Sequence, residues 1–264
     1  MAGPGGGDRR VTSRVMTNGA QLTPLLDLAD ISEAFTEARA RVDAAFRHRA
    51  MRRQGPQIAV EAGLRDACAS AALDGQAYEL DDVRAGTALN PVVQSALRVT
   101  QALDELSVTW QKAPRQALAR LHVLAGRGIV ADEELGRPEP GAQPRLDLLA
   151  DLVTSKREDT LLLAAVVHGD LLAAKPFGAV NGLVARAAAR LVLISGGLDP
   201  RGLLPVDVGH RDREPEYRGA SATFVTGTPD GLRSWLKHYA AAVIRAAEET
   251  EAISDSLMSQ GESS

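Results

Sequence analysis

Apolar residues recur at helical spacing from Ile31 to Ile253, and no convincing strand alternation interrupts them. The pattern predicts helices over about 31–53, 57–73, 79–85, 91–109, 115–125, 145–154, 158–174, 181–196 and 230–257. In the first, Ala34, Ala38, Val42 and Phe46 share one stripe opposite a charged side, as in a surface helix that covers a core. Segment 158–174 differs. Almost every residue is Leu, Ala or Val on all sides, which places it at the centre of a bundle. It is too short for a membrane span and is interrupted by His168 and Asp170. In the last helix Trp235, Leu236, Tyr239 and Val243 form a packing stripe, while 197–220 reads as a long irregular connection and Val225 marks the best strand candidate. The expected fold is all-α, a single domain over 21–258. The Gly-rich residues 1–20, with Arg9, Arg10 and Arg14, read as a disordered tail, and 259–264 as a frayed end.

Composition sharpens this picture. Only 3% of the 264 residues are aromatic against 45% hydrophobic, so the core is built from Ala, Leu and Val, which suits closely approaching helices. A formal charge of −4 argues against nonspecific nucleic-acid binding. The single cysteine, Cys68, allows no intramolecular disulfide and reads as a structural thiol in a helix of Ala neighbours. No apolar run follows the N-terminus, so neither a secretory signal nor a membrane anchor is expected, and the expected compartment is the cytoplasm.

The chemistry concentrates between His168 and Asp199. Pro176 ends helix 158–174 and should push Lys175 towards an extended conformation. Asn181 can cap the next helix, which would bring Gly178 to Gly182 to a helix N-terminus, where free N–H groups and the dipole favour an anion. Arg186 and Arg190 lie one turn apart on that helix. The phosphate-binding candidates are Lys175, Asn181, Gly182 and Arg186. No metal site is expected: His168-x-Asp170 lacks further ligands, and His210 with Asp207, Asp212 and Glu214 reads as a solvated polar loop.

The run K-P-F-G-A-V-N-G-L-V-A-R, residues 175–186, resembles the signature of Fic-family proteins, H-P-F-x-[D/E]-G-N-G-R-x-x-R, at the same spacing. Pro176, Phe177, Asn181, Gly182 and Arg186 match it, and His168 matches a histidine common in the preceding helix of that family. Lys175 stands in place of the catalytic histidine, Ala179 of the acidic metal ligand, Val180 of a glycine and Leu183 of the first phosphate-binding arginine. Residues 57–75 resemble the inhibitory helix that some Fic proteins carry ahead of the motif, which ends S-S-x-I-E-G. Ser70, Leu73, Asp74 and Gly75 fall at matching places. The resemblance implies that Asp74 meets Arg186, while Asp-Gly is also an ordinary helix-ending turn. The loop 126–144 stands at the place of the family's target-binding flap, but its prolines make poor strand material and it reads as a plain connection, while Tyr217 is all that remains of the family's doubled tyrosine near the nucleotide base.

The resemblance thus implies a Fic-like helical bundle around a central helix–loop–helix. The Fic reaction moves a nucleotide monophosphate onto a protein hydroxyl and needs a base, a metal and donors for developing charge. A lysine is protonated near neutral pH, Ala179 cannot hold Mg²⁺ and Leu183 offers no donor. Two readings follow. The first is a Fic-fold pseudoenzyme, a regulatory or interaction module with at most weak anion or nucleotide binding and no cofactor. Its expected partner is another protein or a second copy of itself, with no role for nucleic acid or membrane. The second is a divergent transferase that uses Lys175, with ATP and Mg²⁺, to modify a protein hydroxyl.

Overall fold

In the computed structural model, which describes residues 22–155 and 157–262, every regular element is helical. Among the described residues there are twelve α-helices: α1 (Ile31–Phe46), α2 (Gly55–Leu73), α3 (Leu80–Arg84), α4 (Pro91–Gln101), α5 (Leu103–Trp110), α6 (Pro114–Gly126), α7 (Gln143–Ser155), α8 (Thr160–Ala174), α9 (Asn181–Ser195), α10 (Val206–Asp212), α11 (Glu214–Phe224) and α12 (Pro229–Glu262). The tail expected over residues 1–20 lies outside the described residues.

Helix α8 begins at Asp159, whose carboxylate accepts the Leu162 N–H at 2.9 Å, the bond that makes Asp a strong N-cap. It is buried at every position from Leu161 to Leu171. Helix α9 is buried at every position from Leu183 to Ile194 and packs along α8. The window Gly178–Ser195 has the length and hydropathy of a membrane span, yet 78% of it is buried inside the bundle. The other helices form a shell: α5 and α6 lie against α9, α2 packs on α4 and α10, and the long α12 covers α1, α10 and α11. Small residues set these approaches. A Cβ added at Gly209 of α10 would collide with the Ala242 backbone of α12, so only glycine lets the two helices meet this closely. Trp235 fills the junction of α12 and α8 and donates its indole N–H to the Ala165 carbonyl at 2.8 Å.

Several expectations are corrected. The predicted first helix ends at Phe46 and continues as a separate 3₁₀ turn, Arg49–Arg52; its buried stripe is Ile31, Phe35, Ala38, Val42 and Ala45. The helix expected over 91–109 breaks at Ala102 into α4 and α5. The irregular connection of 197–220 is largely α10 and α11, and Val225 caps α11 instead of forming a strand. Short helices rich in Gly, Pro and charge carry little apolar periodicity, and tertiary packing decides them. Residues 259–262, expected to fray, lie inside α12.

Candidate functional site

The site is the turn between the two central helices. Lys175 ends α8 in the left-handed region (φ 48°, ψ 47°), its N–H bonded to the Leu171 carbonyl at 3.0 Å. The extended conformation expected before Pro176 is therefore not adopted, because a left-handed residue closes the last turn of a helix more tightly. The Lys175 side chain is exposed and has no hydrogen bond or ion pair among the described residues. A 3₁₀ turn, Gly178–Val180, leads into α9.

Asn181 does not cap α9; Val180 holds that position. Its amide instead donates to the Leu171 carbonyl at 2.9 Å and accepts the Phe177 N–H at 3.3 Å, both in buried surroundings. The side chain ties the end of α8 to the start of α9. It is thus committed to holding the loop's shape.

Gly182 and Arg186 meet the end of α2. Arg186 Nε–H donates to Ser70 Oγ at 2.9 Å, and Nη2 donates to the Ser70 carbonyl at 3.1 Å and to Asp74 Oδ2 at 3.0 Å. A second carboxylate, Asp207 of α10, lies 3.3 Å from Nε. Asp74 also covers Gly182: a Cβ there would lie 2.6 Å from Asp74 Oδ1. At the other end of the turn, a Cβ on Gly178 would lie 3.1 Å from the Glu139 carboxylate. The loop that carries Glu139 is anchored by its N–H to the Pro176 carbonyl at 2.8 Å. Acidic side chains of the protein itself therefore sit at both ends of the turn that the sequence marked as anion-friendly.

Asp74 is presented by an ordinary helix stop. Gly75 takes φ 83°, its N–H bonds Ala72 O at 2.9 Å and the Gln76 N–H bonds Ala71 O at 2.9 Å, the paired bonds of a Schellman motif. Ending the helix and facing Arg186 are one geometry. Sequence reading missed the next layer. Asp66, Ser70 and Asp74 recur every four residues on α2 and face Arg190 and Arg186, themselves four apart on α9, with Asp66 2.8 Å from Arg190. Asp66 Oδ1 also accepts the Asp207 N–H at 3.0 Å. The matching four-residue periods were the available signal.

Electrostatics follow from burial. Three carboxylates, Asp66, Asp74 and Asp207, surround two guanidiniums. Burial and then the nearby Asp66 push Asp207 up to about 7, against the pull of Arg186. Burial opposes the charge on Arg186, but Asp74, Tyr217 and Asp207 outweigh it and hold its proton above the ordinary arginine range. Behind Arg186 lies a buried aromatic cluster. His168 Nε2 pairs with the Tyr217 hydroxyl at 3.0 Å, and His210 Nδ1 with His238 Nε2 at 3.0 Å. Burial lowers all three histidines, with His238 brought down to about 4. His210 and Asp207 are buried in α10, which corrects the solvated loop expected for them. His168 and Asp170 face different partners, since Asp170 forms a salt bridge with Arg145. Among the described residues no three His, Cys, Asp or Glu side chains converge as a metal site. Ala179 is exposed and Leu183 buried. Cys68 is half-buried, and burial pushes its thiol up to about 11, far from a reactive thiolate.

No protein-family model and no curated protein matches the sequence. Solved structures do match the fold. A Fic family protein from Desulfovibrio desulfuricans G20 superposes with a TM-score of 0.66 at 22% identity, covering 82% of this chain and 73% of that one. Fic-1 from C. elegans superposes with a TM-score of 0.64 at 18% identity, covering 87% of this chain and 75% of that one. The architecture built around α8, the 175–180 turn and α9 is therefore a Fic-like fold.

Proposed function

We propose that this Fic-fold protein does not transfer nucleotides and acts as a regulatory or protein-interaction module, its partner another protein or a second copy of the chain. The observation that carries this reading is Asp74: its carboxylate lies against both Gly182 and Arg186, the place where a phosphate would have to sit. A phosphate entering there would displace a carboxylate already held by the helix stop at Gly75 and would face Glu139 at the other end of the turn.

The side chains at this turn do not fit a magnesium-bound triphosphate. Ala179 supplies no metal ligand, Leu183 no donor, and Lys175 stands where a general base would be needed. Loss of even one electrostatic donor typically costs about 10²–10³ in rate, and these roles act on one transition state. The contact of Asp74 with Arg186 parallels the inhibitory pairing that the sequence resemblance implies. In a chain without the base and the metal ligand it would hold the turn shut.

The test is transfer of label from nucleoside triphosphates to proteins of a cell lysate. Wild type, Lys175→Ala and the triple variant Lys175→His/Ala179→Asp/Leu183→Arg are compared. The expected result is no labelling by wild type or Lys175→Ala. Wild-type labelling that disappears in Lys175→Ala would instead establish a divergent transferase built on that lysine.

A further inference from the structure

Beside Arg190 a second site opens that involves none of Lys175, Asn181, Gly182 or Arg186. A cleft of about 530 Å³ lies between α2, α3, α4, α5, the end of α9 and the Arg201–Gly202 turn. Its volume falls in the range of small-molecule sites. Its walls are mostly apolar. Ala59 and Gly63, one turn apart on α2, line it together with Leu64, Leu97 and Ile194. Val60 at the rim is 74% exposed, an uncovered branched side chain beside an open apolar surface.

Three arginines and a single carboxylate line this cleft. Arg84 is already paired with Glu61 at 2.8 Å and with Asp81. Arg201 is exposed and has no carboxylate partner among the described residues; its one hydrogen bond is a long 3.5 Å contact with the Met51 carbonyl. Arg190 is 4% exposed; its Nη1 donates to Asp66 and its Nη2 to the Gly202 carbonyl at 3.3 Å, but its Nε–H is buried without an acceptor. A buried donor left unpaired is rare in folded proteins and costs free energy until something accepts from it. The one carboxylate on the wall, Asp104, is exposed.

We propose that this cleft binds a single-chain amphiphile with an anionic head, a carboxylate or a phosphate monoester. The head sits against Arg201 with the Arg190 guanidinium behind it, and the chain lies along the apolar face of α2 and α4. Charge selects this occupant over the N-terminal residues of the same chain, where Arg9, Arg10 and Arg14 carry the same sign as Arg201, the one arginine of the cleft without a carboxylate partner among the described residues. An arginine fork matches the two oxygens of either head group, and the apolar walls reward a hydrocarbon chain.

The experiment is isothermal titration of the full-length protein with dodecanoate, dodecyl phosphate and dodecyltrimethylammonium, each below its micellar concentration. Sedimentation velocity is run in parallel. Binding of one or both anions is expected, at least about tenfold tighter than the cation, the scale of one charge-assisted hydrogen bond. Binding of dodecyl phosphate alone would assign the head group as phosphate, and of dodecanoate alone as carboxylate. Arg201→Glu and Val60→Glu change exposed side chains only, so the fold should survive, and each should weaken anion binding by roughly tenfold or more. Equal binding of anion and cation, unchanged affinity in Arg201→Glu, or no binding of either anion would overturn the assignment. Concentration-dependent dimerisation lost in Val60→Glu, without anion binding, would give the cleft to a second copy of the chain instead.

Discussion

Asp74 Oδ2 lies 3.0 Å from Arg186 Nη2, and the same carboxylate closes over the first turn of α9 at Gly182. One acidic residue at a helix stop thus neutralises the arginine and occupies the start of the helix that could otherwise receive an anion. Ser70 holds the guanidinium from the same helix, and Asp207 approaches it from α10.

Asp74→Ala should therefore destabilise the protein while freeing the site. The Asp74 side chain is 25% exposed and Arg186 keeps Ser70 and Asp207, so the loss should be smaller than for a fully buried pair, about 1–3 kcal/mol. Urea unfolding at neutral pH measures it. An unchanged midpoint would mean that the contact contributes nothing to the fold.

Asn181→Leu should cost about 1–3 kcal/mol, because it leaves the Leu171 carbonyl short of one donor and the Phe177 N–H without its acceptor in buried surroundings. Amide hydrogen exchange should show the loss first at Phe177. Protection at that amide equal to wild type would contradict the role assigned to Asn181.

Gly209→Ala forces a methyl group into the Ala242 backbone of α12. Neither side of that contact is the flexible end of a side chain, so the helices must separate at a cost of about 1–3 kcal/mol or more. Gly219, with open space around its Cβ position, is the control and should tolerate alanine.

The buried titratable groups predict opposing pH trends. His238 titrates near 6.5 when unfolded and near 4 when folded, so between those values the unfolded chain binds more protons and stability rises with pH. Asp207 behaves in the reverse sense. Its folded value of about 7 exceeds the unfolded 3.8, so the fold retains a proton and this contribution falls as pH rises through that window. His238→Gln should remove roughly 3 kcal/mol of the rise between pH 4 and 6.5. Asp207→Asn should make the rise steeper. Unfolding free energies measured across that range with each variant decide both points, and parallel curves for wild type and His238→Gln would contradict the first.

The central pair was legible because α8 and α9 are apolar over whole turns, and burial on every side leaves few other places for such segments. The turn between them was legible as a loop from Pro176, and the Asp74–Arg186 contact from the resemblance alone. Other features depend on partners distant in sequence. Asn181 looks like a helix cap until the Leu171 carbonyl is in place beside it. Asp207 and His210 look solvated because the segment around them is charged, yet α12 and α2 cover α10. The Arg190–Asp66 pair could have been read from matching four-residue periods, though only with the packing of α2 on α9 known.

The most direct measurement is calorimetric titration of inorganic phosphate and of Mg²⁺·ATP into wild type and Asp74→Ala. With Asp74 in place, neither ligand should give tight binding. In Asp74→Ala, inorganic phosphate should bind weakly through Arg186 and the start of α9, with an affinity that falls as salt rises. Tight, magnesium-dependent binding of ATP by the wild-type protein would contradict the account.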